Sequence, residues 1–428
     1  MQVRPAYWIV IALLPLVCGE EVPAEELPAS AYRHVLTSIA EDRRSESIEI
    51  TPTTAGLPAE VPWSIVKRTL HGGKQEGVEL ITLDNGKLQI DLVATRGLSV
   101  LEVRSGDLRL GWNSPVKEIV HPHWIDLSRR GGLGWLEGFN EFIVRCGLEY
   151  AGHPGRDQFT DNTGGRSEME LSLHGRIGNL PATEAIVAID RDPPHRIRVR
   201  GSVHERQFYG PQLELVAEVS TLPGSNSFEV SDQVINHGAG PQEFEMIYHS
   251  NYGRPLLEAG ARIGVPAKTV TPMNARAAEG LEQYATYLAP TEGFSEQVYL
   301  IEPYADPQHQ TLALLQNAQG QRGASIRWSI DELPYFTLWK NTAPEAAGYV
   351  TGLEPGTNFP FNRMVERQAG RLGKLGARQA RRFTLTYALH TTAAEVEQVR
   401  REIEAIQGNR ETRLIAQPPG AEQPPVIQ

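Results

Sequence analysis

Short runs of alternating apolar and polar residues, broken by turn residues, recur along most of this chain. They constrain its fold more than any other feature. Val78-Glu79-Leu80-Ile81-Thr82-Leu83 runs into Asp84-Asn85-Gly86, after which Leu88, Ile90 and Leu92 alternate with polar residues. Successive side chains on a strand point to opposite faces, so this pattern makes half-buried strands, and Asn-Gly between two such runs signals a hairpin. Ile197, Val199 and Gly201 alternate with arginines, and Leu213, Leu215, Ala217 and Val219 alternate before the turn Pro223-Gly224-Ser225-Asn226. Phe228, Val230, Asp232 and Val234 follow, and residues 310–317, 324–330, 335–340 and 382–390 complete the set. So many strands with so few helical periods predict an all-β fold of two large packed sheets.

One helix is expected late in the chain. Thr392-Ala393-Ala394-Glu395 is a capping box, and Val396, Val399, Ile403 and Ile406 follow at helical spacing, which predicts a short C-terminal helix over residues 392–408. The Pro- and Gln-rich stretch 409–428 is expected to be a disordered tail. At the other end, Arg4 precedes an apolar run over residues 7–17, then Cys18-Gly19-Glu20. That order of charge, apolar core and small residues predicts a secretory signal over residues 1–19 and an exported protein, periplasmic or extracellular. Cys18 leaves a lipid anchor as the alternative, although Val17 before it fits poorly. Without Cys18 only Cys146 remains, so no internal disulfide is expected. Residues 20–62 are polar and predict a loosely packed linker with one short helix around 29–40, leaving 63–391 as the β-domain. The net charge of −11 argues against a nucleic-acid partner, whose phosphates need a basic face.

Chemistry concentrates in three places. An apolar run enters Tyr248-His249-Ser250-Asn251-Tyr252-Gly253-Arg254-Pro255, a buried strand that ends in polar groups and a turn. Leu173-His174-Gly175-Arg176 lies upstream and Gly352-Leu353-Glu354-Pro355-Gly356-Thr357-Asn358 downstream. Two histidines and a glutamate, each beside turn residues, can converge in one cleft. Against that stands a plain core role, with His249 satisfied by a backbone carbonyl, Arg145 in a structural ion pair and Cys146 a buried structural thiol.

These residues resemble aldose 1-epimerase and the galactose mutarotase superfamily, most closely its domain-of-unknown-function branch. The resemblance is carried by Arg145-Cys146-Gly147-Leu148, Leu173-His174-Gly175-Arg176-Ile177, Pro181-Ala182, Asp232-Gln233-Val234-Ile235-Asn236, the His249 segment through Leu257, and Gly356-Thr357-Asn358, over residues 65–391. It implies a galactose mutarotase-like β-supersandwich whose concave face binds a small sugar. It further implies that His249 protonates the ring oxygen as the acid while Glu354 takes the anomeric proton as the base. Arg145, His174, Arg176, Asn251 and Asn358 are then the expected substrate-binding residues, with no metal and no cofactor. The chain departs from mutarotases in having Tyr-His-Ser-Asn around His249 and no Thr-Gln after Glu354; Asp306 is a weak match for the remaining sugar ligand.

Other readings use the same or neighbouring residues. Leu70-His71-Gly72-Gly73 spells a mutarotase motif out of order and reads as a surface turn; His121-Pro122-His123-Trp124 reads as a loop rim. His174, His249 and a carboxylate would suit a divalent metal, which would make a keto-sugar isomerase or lyase. In a carbohydrate-binding module without turnover, Trp124, Trp135 and Trp339 would carry affinity by stacking.

Overall fold

The computed structural model describes residues 27–29, 31–58 and 60–419. The alternating runs form one ten-stranded and one fourteen-stranded sheet. Their inner faces interdigitate in one continuous core. The expected hairpin at Asn85-Gly86 joins Glu79–Asp84 to Gln89–Val93, with Asp84 opposite Gln89. The Asn85 side chain also ties the sheets together. Its Oδ1 accepts from Leu88 N, while its Nδ2 donates to Thr221 Oγ1 at 2.8 Å and Leu222 O at 3.0 Å. Between the sheets Phe142 meets Tyr387 at 5.9 Å between ring centroids, and Tyr248 meets Phe383 at 6.3 Å. Each such side chain contributes about 1.5–3 kcal/mol by leaving water.

Both ends differ from expectation. Residues 32–38 are a strand, not a helix, pairing antiparallel with Glu184–Ile189 in the ten-stranded sheet. Ser47–Ile50 joins the fourteen-stranded sheet beside Ser64–Thr69. Leu36 and Ile50 are buried, so this segment packs as part of both sheets rather than as a loose linker. Sheet edges open to pairing outweigh the weak helix propensity of scattered alanines. The short helix of this region is Pro52–Ala55, set by a capping box of Thr51 and Thr54.

The C-terminal helix spans Ala393–Gln407, with Thr392 and Glu395 capping reciprocally. Its Val396, Val399 and Ile403 cover Leu312 and Leu314. Beyond it the expected disorder is corrected in part, because Arg413–Leu414 pairs in parallel with Ala267–Pro272. The secretory segment 1–19 with Cys18, and the last residues 420–428, lie outside the described residues.

Candidate active site

Adjacent strands of the fourteen-stranded sheet carry the site: Tyr335–Asn341, Val350–Gly356, Gln242–Tyr252 and Ile143–Leu148, in that order. Along Gln242–Tyr252 the two-residue period divides labour. Phe244, Met246, Tyr248 and Tyr252 enter the core between the sheets, while Ile247 joins a second apolar cluster on the opposite face. His249 is on that opposite face. Asn251 lies across from Gly352 and Ile247 across from Gly356, a register that sets His249 beside Glu354. Cross-strand neighbours have their Cβ atoms about 5 Å apart, within reach of one another.

His249 Nε2 lies 3.2 Å from Glu354 Oε1, and both side chains are almost wholly buried. Aromatic rings enclose them. From the His249 ring, Phe139 is 5.4 Å away, Trp339 5.5 Å, Trp135 6.2 Å and the His174 ring 5.2 Å. Trp339 is held in place by its indole N–H, which donates to Glu296 Oε2 at 2.8 Å. Three polar atoms here, His249 Nδ1, Asn251 Oδ1 and Trp135 Nε1, are buried with no hydrogen-bond partner among the described residues. His249 thus pairs with the side chain of Glu354 rather than with a backbone carbonyl. Unpaired buried polar atoms are costly, and these three lie around the pair.

Burial governs the electrostatics. It pushes His249 well below the ordinary imidazole range, helped by nearby His174 and opposed by a hydrogen-bonding influence of Asn251. Burial likewise pushes Glu354 well above the carboxylate range, with Glu296 adding to the rise. A water-poor pocket disfavours charge on either group. Both groups are therefore shifted toward their uncharged forms.

His174 is positioned from the turn before Ile177–Asn179. Its backbone is left-handed at φ 58°. Gly175 follows at φ 73°, where a Cβ would collide with the Tyr150 and Gly147 carbonyls. His174 Nδ1 lies 3.0 Å from Ala151 O. A carbonyl only accepts, so Nδ1 carries the proton and Nε2 presents a lone pair. Burial, with His153 as a smaller cause, lowers His174 to about 4. The Ala151 N–H in turn donates to Glu245 Oε2 at 3.0 Å, and Asn358 Nδ2 donates to Glu245 Oε1 at 2.8 Å. Burial pushes Glu245 up to about 8. The hairpin of Gly155–Thr160 and Arg166–Leu171 springs from between His153 and His174, and Arg367 clamps it through Asp157 at 2.6 and 2.8 Å.

His249, Glu354 and His174 therefore converge, with Asn251 beside Gly352. Three expected sugar ligands do not. Arg145 pairs across from Tyr248, faces the core, and forks onto Asp232 of the other sheet at 2.5 and 2.9 Å. That is the structural ion pair. Arg176 is engaged by Glu149 at 2.6 Å and Glu205 at 2.9 Å. Asn358 is buried and holds Glu245, so it braces the His174 loop rather than facing open space. Asn251 anchors its amide by donating to Glu141 O at 3.1 Å and His249 O at 3.3 Å.

Among the remaining candidates, His71 is exposed beside Glu76, Asp306 caps a turn through Gln308 N and Gln310 N, and Trp124 is exposed against His123. Among the described residues no group of three or more His, Cys, Asp or Glu is arranged to hold a metal ion. Cys146 is buried and free in the apolar cluster beneath the pair. Sequence reasoning missed Phe139 and Glu296, and named Gly352 only as the start of the Glu354 stretch. The first two sit in stretches without a period, whereas Gly352, a glycine inside a strand, was a usable signal.

Two large packed sheets of this kind, with a short C-terminal helix, are those of the galactose mutarotase-like class of fold. A family model described as a domain of unknown function (DUF4432) matches residues 75–389, and the chain belongs to that family. It is similar to the crystal structure of a candidate aldose 1-epimerase from Klebsiella pneumoniae subsp. pneumoniae MGH 78578. The identity is 40%, covering 92% of this chain and 100% of that one, with a TM-score of 0.86. A galactose mutarotase-like protein from Clostridium acetobutylicum shares the fold at 13% identity and a TM-score of 0.53, covering 77% of this chain and 98% of that one. No curated protein matches the chain.

Proposed function

We propose that this chain interconverts the anomers of a small sugar by acid–base ring opening at His249 and Glu354. The observation that carries the reading is the 3.2 Å contact of an imidazole and a carboxyl, two groups able to give and take protons, inside an aromatic enclosure. The ring oxygen and the anomeric hydroxyl of a cyclic sugar are bonded to the same carbon. An acid and a base that touch each other can therefore address both without straddling the ring. One group gives a proton to the ring oxygen as the C1–O bond breaks, and the other takes the anomeric hydroxyl proton, leaving an open-chain aldehyde. Rotation about C1–C2 and the reverse transfers close the ring on its other face.

The resemblance gives the acid's part to His249. The burial of the pair favours the opposite direction in the free chain, with Glu354 holding the proton and His249 offering the lone pair. After ring opening the two groups form an ion pair, and the reverse transfers on ring closure discharge it and restore the site. General acid–base groups contribute about 10²–10⁴-fold each. His174 Nε2 accepts from a sugar hydroxyl, and Trp339 offers a ring face to the apolar side of the sugar. Export to the periplasm or outside the cell belongs to the same reading and is supported by the apolar run and Cys18-Gly19. Polarimetry on a panel of pure aldose anomers tests the activity. Accelerated equilibration of at least one sugar is expected, and binding without any acceleration would make the chain a carbohydrate-binding module instead.

A further inference from the structure

We propose that Gly352 is a positioning residue, present so that the Glu354 carboxyl can fold back against His249. The inference rests on the ring-opening reading for its functional consequence, but its structural claim stands separately. Glycine in the interior of a strand weakens it and marks a close approach of other groups. Gly352 sits in the middle of Val350–Gly356, a central and fully buried strand. It is not among the glycines with a left-handed backbone, so conformation does not require it. Space does. A Cβ at this position would collide with Glu354 Oε1, while crowding His249 Cε1 at 3.1 Å and Trp339 Cε3 at 3.2 Å.

Three site groups therefore meet over this one missing side chain. Residues two apart on a strand share a face, so the Glu354 side chain can lean back along its own strand only if residue 352 leaves the room. Gly352 also lies opposite Trp339 on one neighbouring strand and Asn251 on the other. It thus stands at the crossing of the rows that carry the ring platform and the acid–base pair. A methyl group here drives the carboxyl away from Nε2 without touching either group's chemistry.

The test is Gly352→Ala in the full chain, read in two ways. By ¹⁵N NMR, the imidazole signals of His249 should change in chemical shift and in titration, because the partner at Nε2 has moved. In anomerisation, kcat should fall by about 10²-fold, the penalty typical of a displacement near 1 Å, with KM nearly unchanged. A folded Gly352→Ala whose His249 signals and kcat match the wild type overturns the proposal. If Gly352→Ala does not fold, Glu354→Ala added to it removes the struck carboxyl. Recovery of folding then supports the proposal, and no recovery overturns it. Should the wild type anomerise no sugar, the functional reading fails while the NMR comparison still decides the role of Gly352.

Discussion

The titration of His174 makes the sharpest quantitative prediction. Its imidazole is held near 4 in the folded chain against an ordinary 6.5. The unfolded chain therefore binds this proton first as the pH falls, and folding loses stability from about pH 6.5 downward. Between pH 7 and pH 4 the single group costs about 3 kcal/mol, from the two titration curves and ~1.36 kcal/mol per pH unit. His174→Asn isolates this term. Asparagine tolerates the left-handed backbone at this position, and its amide N–H can donate to Ala151 O as Nδ1–H does. Urea unfolding of wild type and variant at pH 7 and pH 4 gives four stabilities. The wild type should lose about 3 kcal/mol more than the variant over that interval. Parallel losses would refute the claim that His174 is buried uncharged. An independent imidazole titration midpoint near 6.5 would refute it as well.

Three further predictions concern other parts of the molecule. Asp232→Asn strands the buried Arg145 guanidinium and should lower stability by about 3–5 kcal/mol in denaturant unfolding; unchanged stability with a raised KM would restore Arg145 as a sugar ligand. Trp339→Leu removes the ring platform beside His249 and should weaken sugar binding by roughly tenfold, about 1.4 kcal/mol, measured by calorimetry; undiminished affinity would put the sugar elsewhere. Exhaustive treatment with EDTA should leave anomerisation unchanged; activity lost and restored by one divalent ion would favour the metal-dependent isomerase or lyase.

The two-sheet architecture was legible because period-two alternation survives in the sequence wherever one face of a strand is buried. Ile197, Val199 and Leu213, Leu215 announce their strands, and the capping box at Thr392 announces the helix. The strand at 32–38 was not legible, since it forms only by pairing with residues 184–189, far away in the chain. The same limit explains the site. His249 and Glu354 lie in recognisable apolar strands, but the face to which Arg145 points depends on its register opposite Tyr248. Arg145 and His249 looked equivalent in sequence and lie on opposite sides of one sheet. Burial was equally hidden. Nothing in the segments around His249 and Glu354 announces the enclosure by Phe139, Trp135 and Trp339, whose burial of the pair disfavours charge on both groups.

The proposed function requires His249 and Glu354 to act together as one proton-exchanging pair on a sugar. Its most direct measurement is anomerisation by the wild type, Glu354→Gln, His249→Asn and the double variant, followed by NMR from a single pure anomer, with sugar affinity measured on the same samples. Each single variant should lose at least about 10²-fold in turnover while still binding, and the double variant should be little worse than the poorer single one, because groups acting as a unit are not additive. Near-full turnover in either single variant, or losses in the double that simply multiply, would contradict it.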